Sequence, residues 1–238
     1  MCSTVSGGAP APAGAADLQA AGAAARDLRA ADALTLPPDA RVLCLSTGNA
    51  HKLEEFQAML GPLGLSVIAP ATPLEVEEDG ETFAANALKK ATALMEITGH
   101  SALADDSGLE VAALDGAPGV RSARYADTAP AAAGAGDTDA RNRTKLLLAL
   151  ADVPQPQRQA RFVCAIAYCQ PHAKAQLFEG TVSGSIAAAA RGTGGFGYDS
   201  IFIPQGYTET FASLGAAVKN RISHRAMALR HLVKALQP

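Results

Sequence analysis

Apolar residues recur along this chain at two spacings, and the order in which they alternate outlines a fold. Val42 to Leu45 form a short apolar run between Arg41 and Ser46, the pattern of a buried strand. Thr47, Gly48 and Asn49 turn the chain. Leu53, Phe56 and Leu60 then follow at helical spacing, with Asn49 as the N-cap. Residues 65–69 read as a second strand and residues 72–81 as an acidic loop. Residues 82–98 form a helix whose buried stripe is Phe83, Ala87, Ala91 and Leu94. A short strand over residues 101–104 ends at the pair Asp105 and Asp106, and residues 115–136 read as a long loop.

Residues 137–151 predict another helix. Residues 160–169 and 175–185 then read as long paired strands joined around Pro171 and His172. That connection is too short for a crossover, so the pair is antiparallel. A last helix covers residues 223–236, with Ile222, Ala226, Leu229, Val233 and Leu236 on one face. Strand–helix alternation followed by a hairpin predicts an α/β fold. Its mixed, strongly twisted sheet carries flanking helices that form two lobes around a central cleft.

Residues 1–39 stand apart. They are rich in Ala, Gly and Pro, hold no aromatic residue, and bury too little apolar surface to offset ordering entropy. The expected division is a poorly ordered leader over 1–39 and a single two-lobed domain over 40–238. At 48% hydrophobic, the chain can build one substantial core. A formal net charge of −3 without a long basic run argues against nucleic acid as a partner. Any anionic ligand must be held by local positive charge. The four cysteines show no Cys-x-x-Cys spacing and read as reduced thiols, while the five histidines offer no zinc-ligand pattern. No apolar run reaches membrane-spanning length and no signal peptide is apparent, so the expectation is a cytoplasmic protein without a membrane partner.

Four separated motifs carry chemistry. In the first, Thr47, Gly48, Asn49, Ala50, His51 and Lys52 join a strand end to a helix start, where N–H groups and the dipole favour an anion within reach of Lys52. In the second, Asp105, Asp106, Ser107 and Gly108 place two carboxylates at a strand end, suited to a hard cation or to orienting water. The third runs from Gly192 to Asp199 and packs glycines around Phe196, Gly197, Tyr198 and Asp199. Such a loop permits close backbone approach, with Phe196 as a stacking platform for a base; Tyr198 reads equally as a core anchor. The fourth brings Lys219, Arg221, His224 and Arg225 to a helix start capped by Ser223, where acidic residues are the usual preference. Singly, each has an ordinary reading as a capped helix, a turn, a flexible loop or a solvated face. Together they form the kit for a phosphorylated nucleotide.

These motifs, with Gly116 to Tyr125 between the second and third, resemble in content and order the noncanonical purine nucleoside triphosphate pyrophosphatases. This is the inosine/xanthosine triphosphatase family, also called Ham1-like or RdgB-like, and the resemblance covers residues 41–237. It implies Mg²⁺-dependent hydrolysis of ITP, dITP and XTP to the monophosphate and pyrophosphate, by a homodimer. It also implies roles by position. Thr47 to Lys52 hold the triphosphate. Asp106 is the proton acceptor and a metal ligand, with Glu77 as the further ligand. Ser107 touches substrate, and Phe196 to Asp199, Lys219, His224 and Arg225 form the nucleoside side. Ser200 stands where the family usually has proline. A nucleotide-binding regulator without hydrolysis, or a pyrophosphatase for other modified nucleotides, are the competing readings; the intact aspartate pair favours an enzyme.

Overall fold

The computed structural model describes residues 41–70, 72, 74–128 and 137–237. The expected leader, with Cys2, lies outside the described residues, as does the stretch 129–136 of the expected loop. Among the described residues six strands form one mixed sheet: β1 (Val42–Ser46), β2 (Ser66–Ile68), β3 (Ala102–Val111), β4 (Gln159–Cys169), β5 (Gln176–Ile186) and β6 (Phe202–Pro204). Their spatial order is β2-β1-β3-β4-β5-β6. β1 runs parallel to both β2 and β3, and every later pairing is antiparallel.

Five helices flank the sheet among the described residues: α1 (Ala50–Leu60), α2 (Phe83–Thr98), α3 (Thr138–Ala149), α4 (Phe211–Ile222) and α5 (His224–Leu236). Asn49 caps α1 and Thr82 caps α2, each through a side-chain oxygen that accepts backbone N–H groups. β4 shows how one strand serves two layers. Its residues Cys164, Ile166 and Tyr168 point into a core shared with Phe56, Leu60, Leu229 and Val233 from α1 and α5. The alternate residues Val163, Ala165 and Ala167 face Phe83, Ala87 and Ala91 of α2. The two-residue side-chain period separates large residues from small ones, so α2 lies close on an alanine-lined face. A further cluster, with Phe162, Phe202, Phe211 and Leu146, fills the far end of the long strands under α3 and α4.

The expected stripe of α2 is buried at Phe83, Ala87, Ala91 and Leu94. Three expectations change. β3 does not stop at Ala104 but continues through both aspartates to Val111, because its partner β4 pairs with it all the way from Ala102↔Cys169 to Val111↔Ala160. Turn-forming residues are here held extended by the ladder. Gly108 belongs to close packing rather than to a turn: a Cβ there would lie 2.4 Å from Ser122 Oγ and 2.6 Å from the Gly119 carbonyl. The expected loop 115–136 is in part a 3-10 helix over Gly119–Thr128. β6 and α4 were not expected; the first has three residues including Pro204, and the second is interrupted at Gly215, where φ is 79°.

This topology positions a crevice. From β1 the chain passes to β2 through α1 on one face of the sheet, then to β3 through α2 on the other. The carboxyl end of β1 therefore lies beside a β3 that runs on past it, with helices on both faces of the sheet, and crevices outside the carboxyl ends of strands are where open α/β sheets bind ligands.

Candidate active site

β1 pairs with β3 only as far as Ser46↔Ala104. Beyond that point β1 turns away through Thr47 to Asn49, and the next residues of β3 are Asp105 and Asp106. A cavity of about 300 Å³ opens there, lined by residues from all four motifs, among them Thr47, Lys52, Asp106, Phe196, Lys219 and Arg225.

The two aspartates face different surroundings, as alternation along a strand requires. Asp105 is buried and closed in by cations and a hydroxyl. Arg225 Nη2 donates to its Oδ2 at 2.7 Å, Lys52 Nζ lies 3.1 Å from Oδ1, and Ser107 Oγ donates at 3.0 Å. Burial alone would raise its pKa, but Arg225, Lys52 and Lys90 together hold the carboxyl far below the usual range. Asp106 has gentler partners: Asn86 Nδ2 donates to Oδ2 at 2.9 Å, the Ser107 N–H donates to Oδ1 at 3.1 Å, and Lys90 Nζ lies 3.8 Å away. Burial raises its pKa, with Glu78 adding to the rise while Lys90 and Asn86 oppose it. A carboxylate so placed in a cleft is suited to accept a proton.

Residues 74–80 cross this end in alternation, with even-numbered residues turned inward and odd-numbered ones exposed. Glu78 therefore lines the cavity, and Glu77, the expected metal ligand, is exposed and does not. Lys90 bonds Glu78 Oε1 at 2.7 Å and the Asp105 carbonyl at 2.9 Å. Its ammonium stands between Glu78 and Asp106, so a positive charge already occupies the gap between two hard oxygen donors. That donor set fits a cation such as Mg²⁺, which takes one or two carboxylates and completes its shell with water and phosphate. No group of three or more acids, histidines or cysteines placed to hold a metal occurs among the described residues, so a protein cage alone does not form the site.

At the opposite end, Lys219 and Arg225 lie under the Phe196 ring, with Lys219 Nζ 4.3 Å and Arg225 Cζ 5.9 Å from its centroid. Lys219 bonds Asp199 at 2.6 Å and Glu55 at 2.7 Å, and Glu55 also pairs with Arg225. Asp199 in turn accepts the Phe196 N–H at 2.9 Å, which closes the glycine-rich loop on itself. Gly192, Gly195 and Gly197 all take positive φ, so the glycines there have a backbone reason. Tyr198 is largely a core anchor: it is buried, and its hydroxyl donates to the Ser122 carbonyl at 2.9 Å. His224 stacks on Phe162 with centroids 4.7 Å apart. Burial first, then Arg225 and Lys219, push its pKa well down and keep the ring neutral. Neither His224 Nδ1 nor Arg225 Nε has a hydrogen-bond partner among the described residues.

Thr47, Gly48, Asn49, Lys52, Ser107, Gly197, Asp199 and His224 line the cavity as well. Ala50 and His51 do not. His51 is exposed and stacks on Phe196 at 5.5 Å, on the purine side rather than the phosphate side. The N–H groups of His51 and Lys52 are already taken by Asn49 Oδ1, which narrows what the helix start offers an anion. Sequence reasoning picked Glu77 from the acidic cluster Glu75, Glu77 and Glu78, and passed over Glu55, Asn86 and Lys90. The trace of the last two was a polar pair four residues apart, each just before an alanine of the α2 stripe.

The Ham1 family profile matches residues 43–235. The chain is 48% identical over 198 residues to a dITP/XTP pyrophosphatase of Desulforamulus reducens, covering 82% of this chain and 94% of that protein. It is 46% identical over 200 residues to the dITP/XTP pyrophosphatase of Streptomyces coelicolor, covering 82% and 96%. Among solved structures, the Ham1 protein of Staphylococcus aureus superposes with a TM-score of 0.70 at 37% identity, covering 82% of this chain and 97% of that one.

Proposed function

This chain belongs to the Ham1 family, and from that premise we propose that it hydrolyses noncanonical purine nucleoside triphosphates (ITP, dITP and XTP) to the monophosphate and pyrophosphate. It is a nucleoside triphosphate pyrophosphatase that clears such nucleotides from the pool. Residues 40–238 are taken as one catalytic unit that acts in the cytoplasm as a homodimer.

The observation that carries this reading is the Arg225 side chain. It joins Asp105 at the acid end to the Phe196 platform at the other, so one ligand can span a carboxylate pair and an aromatic ring. The triphosphate lies along Lys52 and the Thr47–Asn49 turn. Asp106 and Glu78 would hold Mg²⁺, which would neutralise phosphate oxygens and polarise the phosphorus. Asp106 orients a water and takes its proton as oxygen bonds to the α-phosphorus. The bond from that phosphorus to the α–β bridging oxygen breaks, and pyrophosphate leaves with its charge balanced by Lys52.

Base choice follows from the two unpartnered buried nitrogens. Arg225 Nε–H is only a donor, and neutral His224 has one nitrogen free to donate or accept. A six-keto purine supplies the acceptor that such a pair lacks. Adenine presents an amino group instead and would leave a donor unpaired, at a cost of about 1–3 kcal/mol.

Pyrophosphate release measured with ITP, dITP, XTP, dUTP, GTP and ATP in the presence of Mg²⁺ tests the assignment. ITP, dITP and XTP are expected to lead. Turnover led by dUTP points to a pyrophosphatase for other nucleotides, and no turnover of any, with binding intact, leaves a regulator.

A further inference from the structure

Asn86 is fully buried in the first turns of α2 and does not line the cavity. Its amide nevertheless joins two elements that do. Oδ1 accepts the Gly80 N–H at 2.8 Å. Nδ2 donates to Asp106 Oδ2 at 2.9 Å and, more weakly at 3.5 Å, to the Gly80 carbonyl. Accepting from Gly80 fixes which way the amide faces, so its NH₂ group is what Asp106 meets. One planar side chain therefore ties the carboxylate on β3 to the acidic segment two residues beyond Glu78.

We propose that Asn86 is a positioning residue for the reaction, setting the orientation of the Asp106 carboxylate and its spacing from Glu78. Both oxygens of Asp106 are held in this arrangement, Oδ1 by the Ser107 N–H and Oδ2 by Asn86. Without Asn86, Oδ2 loses its hydrogen bond and the carboxylate is free to turn toward Lys90. The segment that carries Glu78 has other ties, through Lys90 and Arg124 to Glu78 and through Lys89 to Asp79. Lys90 also stands between that segment and Asp106, 3.8 Å from Oδ1, but the hydrogen-bonded link to the carboxylate runs through Asn86. Gly80 fits the same reading. A Cβ there would lie 2.6 Å from Asn86 Oδ1 and 3.1 Å from Ala85 Cβ, and its φ lies outside the left-handed region. Alanine at Gly80 therefore strains no backbone and strikes the first turn of α2 at the amide. The inference rests on the proposed placement of the dication between Asp106 and Glu78.

The test uses Mn²⁺ as the probe ion, titrated by electron paramagnetic resonance, with steady-state ITP kinetics and thermal melting on the full chain. Asn86→Ala and Gly80→Ala are each expected to lose about 10–100-fold in Mn²⁺ affinity or kcat, the usual cost of removing a partner that orients a metal ligand. KM for ITP is expected to change little, and Gly80→Ala, whose added methyl strikes buried Asn86, is expected to melt modestly below wild type while staying folded at the assay temperature. Should Asn86→Ala fail to fold, Gly80→Ala decides. Variants with wild-type Mn²⁺ affinity and kcat overturn the proposal. So does a lowered melting temperature with ion affinity and kcat intact, which is the mark of a merely structural role. A wild type that turns over ITP without any dication removes the metal placement, and the kcat values of the two variants then decide alone. A wild type that neither binds Mn²⁺ nor turns over ITP overturns both readings.

Discussion

The two ends of the cleft solve one problem, buried charge, in opposite ways. At the acid end Asp106 and Glu78 share Lys90, and Asp106 is left with its pKa pushed up by burial. At the purine end Lys219 and Arg225 are matched by Asp199, Glu55 and Asp105, and the group left over, His224, is buried in its neutral form. Burial opposes charge at both ends. At one end the outcome is a carboxylate ready to take a proton, and at the other a set of fixed hydrogen-bonding groups. Asp105 is the junction. It has the same chemistry as its neighbour in sequence but points to the cationic side, where it serves as a counter-ion.

On that division the largest effect belongs to Asp106→Asn. The amide keeps the shape and cannot accept the proton, so kcat is expected to fall by about 10²–10⁴. The fold is expected to survive, with a melting temperature at or slightly below wild type, because removing a charge that burial opposes is offset by an amide NH₂ turned toward Asn86 or the Ser107 N–H. Pyrophosphate release and thermal denaturation on the same preparation check both halves. A variant with near-normal kcat would erase the contrast between the neighbouring aspartates.

Asp105→Asn should show the converse. Arg225 keeps Glu55 but loses its contact with Asp105, and Lys52 loses its counter-ion. Breaking a buried pair costs about 3–5 kcal/mol, and the surviving partner places this case at the lower end. About 3 kcal/mol corresponds to a fall of roughly 6–12 °C in Tm for a domain of this size. A stable Asp105→Asn protein with abolished turnover would instead exchange the roles of the two residues.

What the sequence made legible follows from which forces act locally. Helix caps at Asn49 and Ser223 and the apolar stripes of α2 and α5 depend on near neighbours, and the pattern displayed them. The length of β3 was hidden, since Asp105 to Gly108 have turn preferences that only pairing with β4 overrides. The four motifs announced a nucleotide site, but not which acid turns inward. Glu77 and Glu78 differ by one residue in an extended segment, and a one-residue change reverses the side presented. The choice is made by Lys90 and Asn86 on α2, contacts that no local pattern records.

The smallest expected effect probes the purine end through pH. His224 is the buried histidine, while His51, His100, His172 and His231 are exposed. Because burial, Arg225 and Lys219 depress its folded pKa, the unfolded chain binds a proton near pH 6.5 that the folded chain refuses. Stability is therefore full above about pH 6.5 and is lost as pH falls toward the folded value, by at most about 1.4 kcal/mol per pH unit. Denaturant unfolding at pH 7.5 and 5.5, without nucleotide, should show a smaller drop in His224→Asn than in wild type. Asp106 and Asp199, both raised by burial, bias stability toward low pH, but they are present in both proteins and cancel in the difference. An identical drop in the two proteins would mean that His224 carries a proton in the folded state. The purine end would then hold a third cation, and the contrast with the acid end would have to be redrawn.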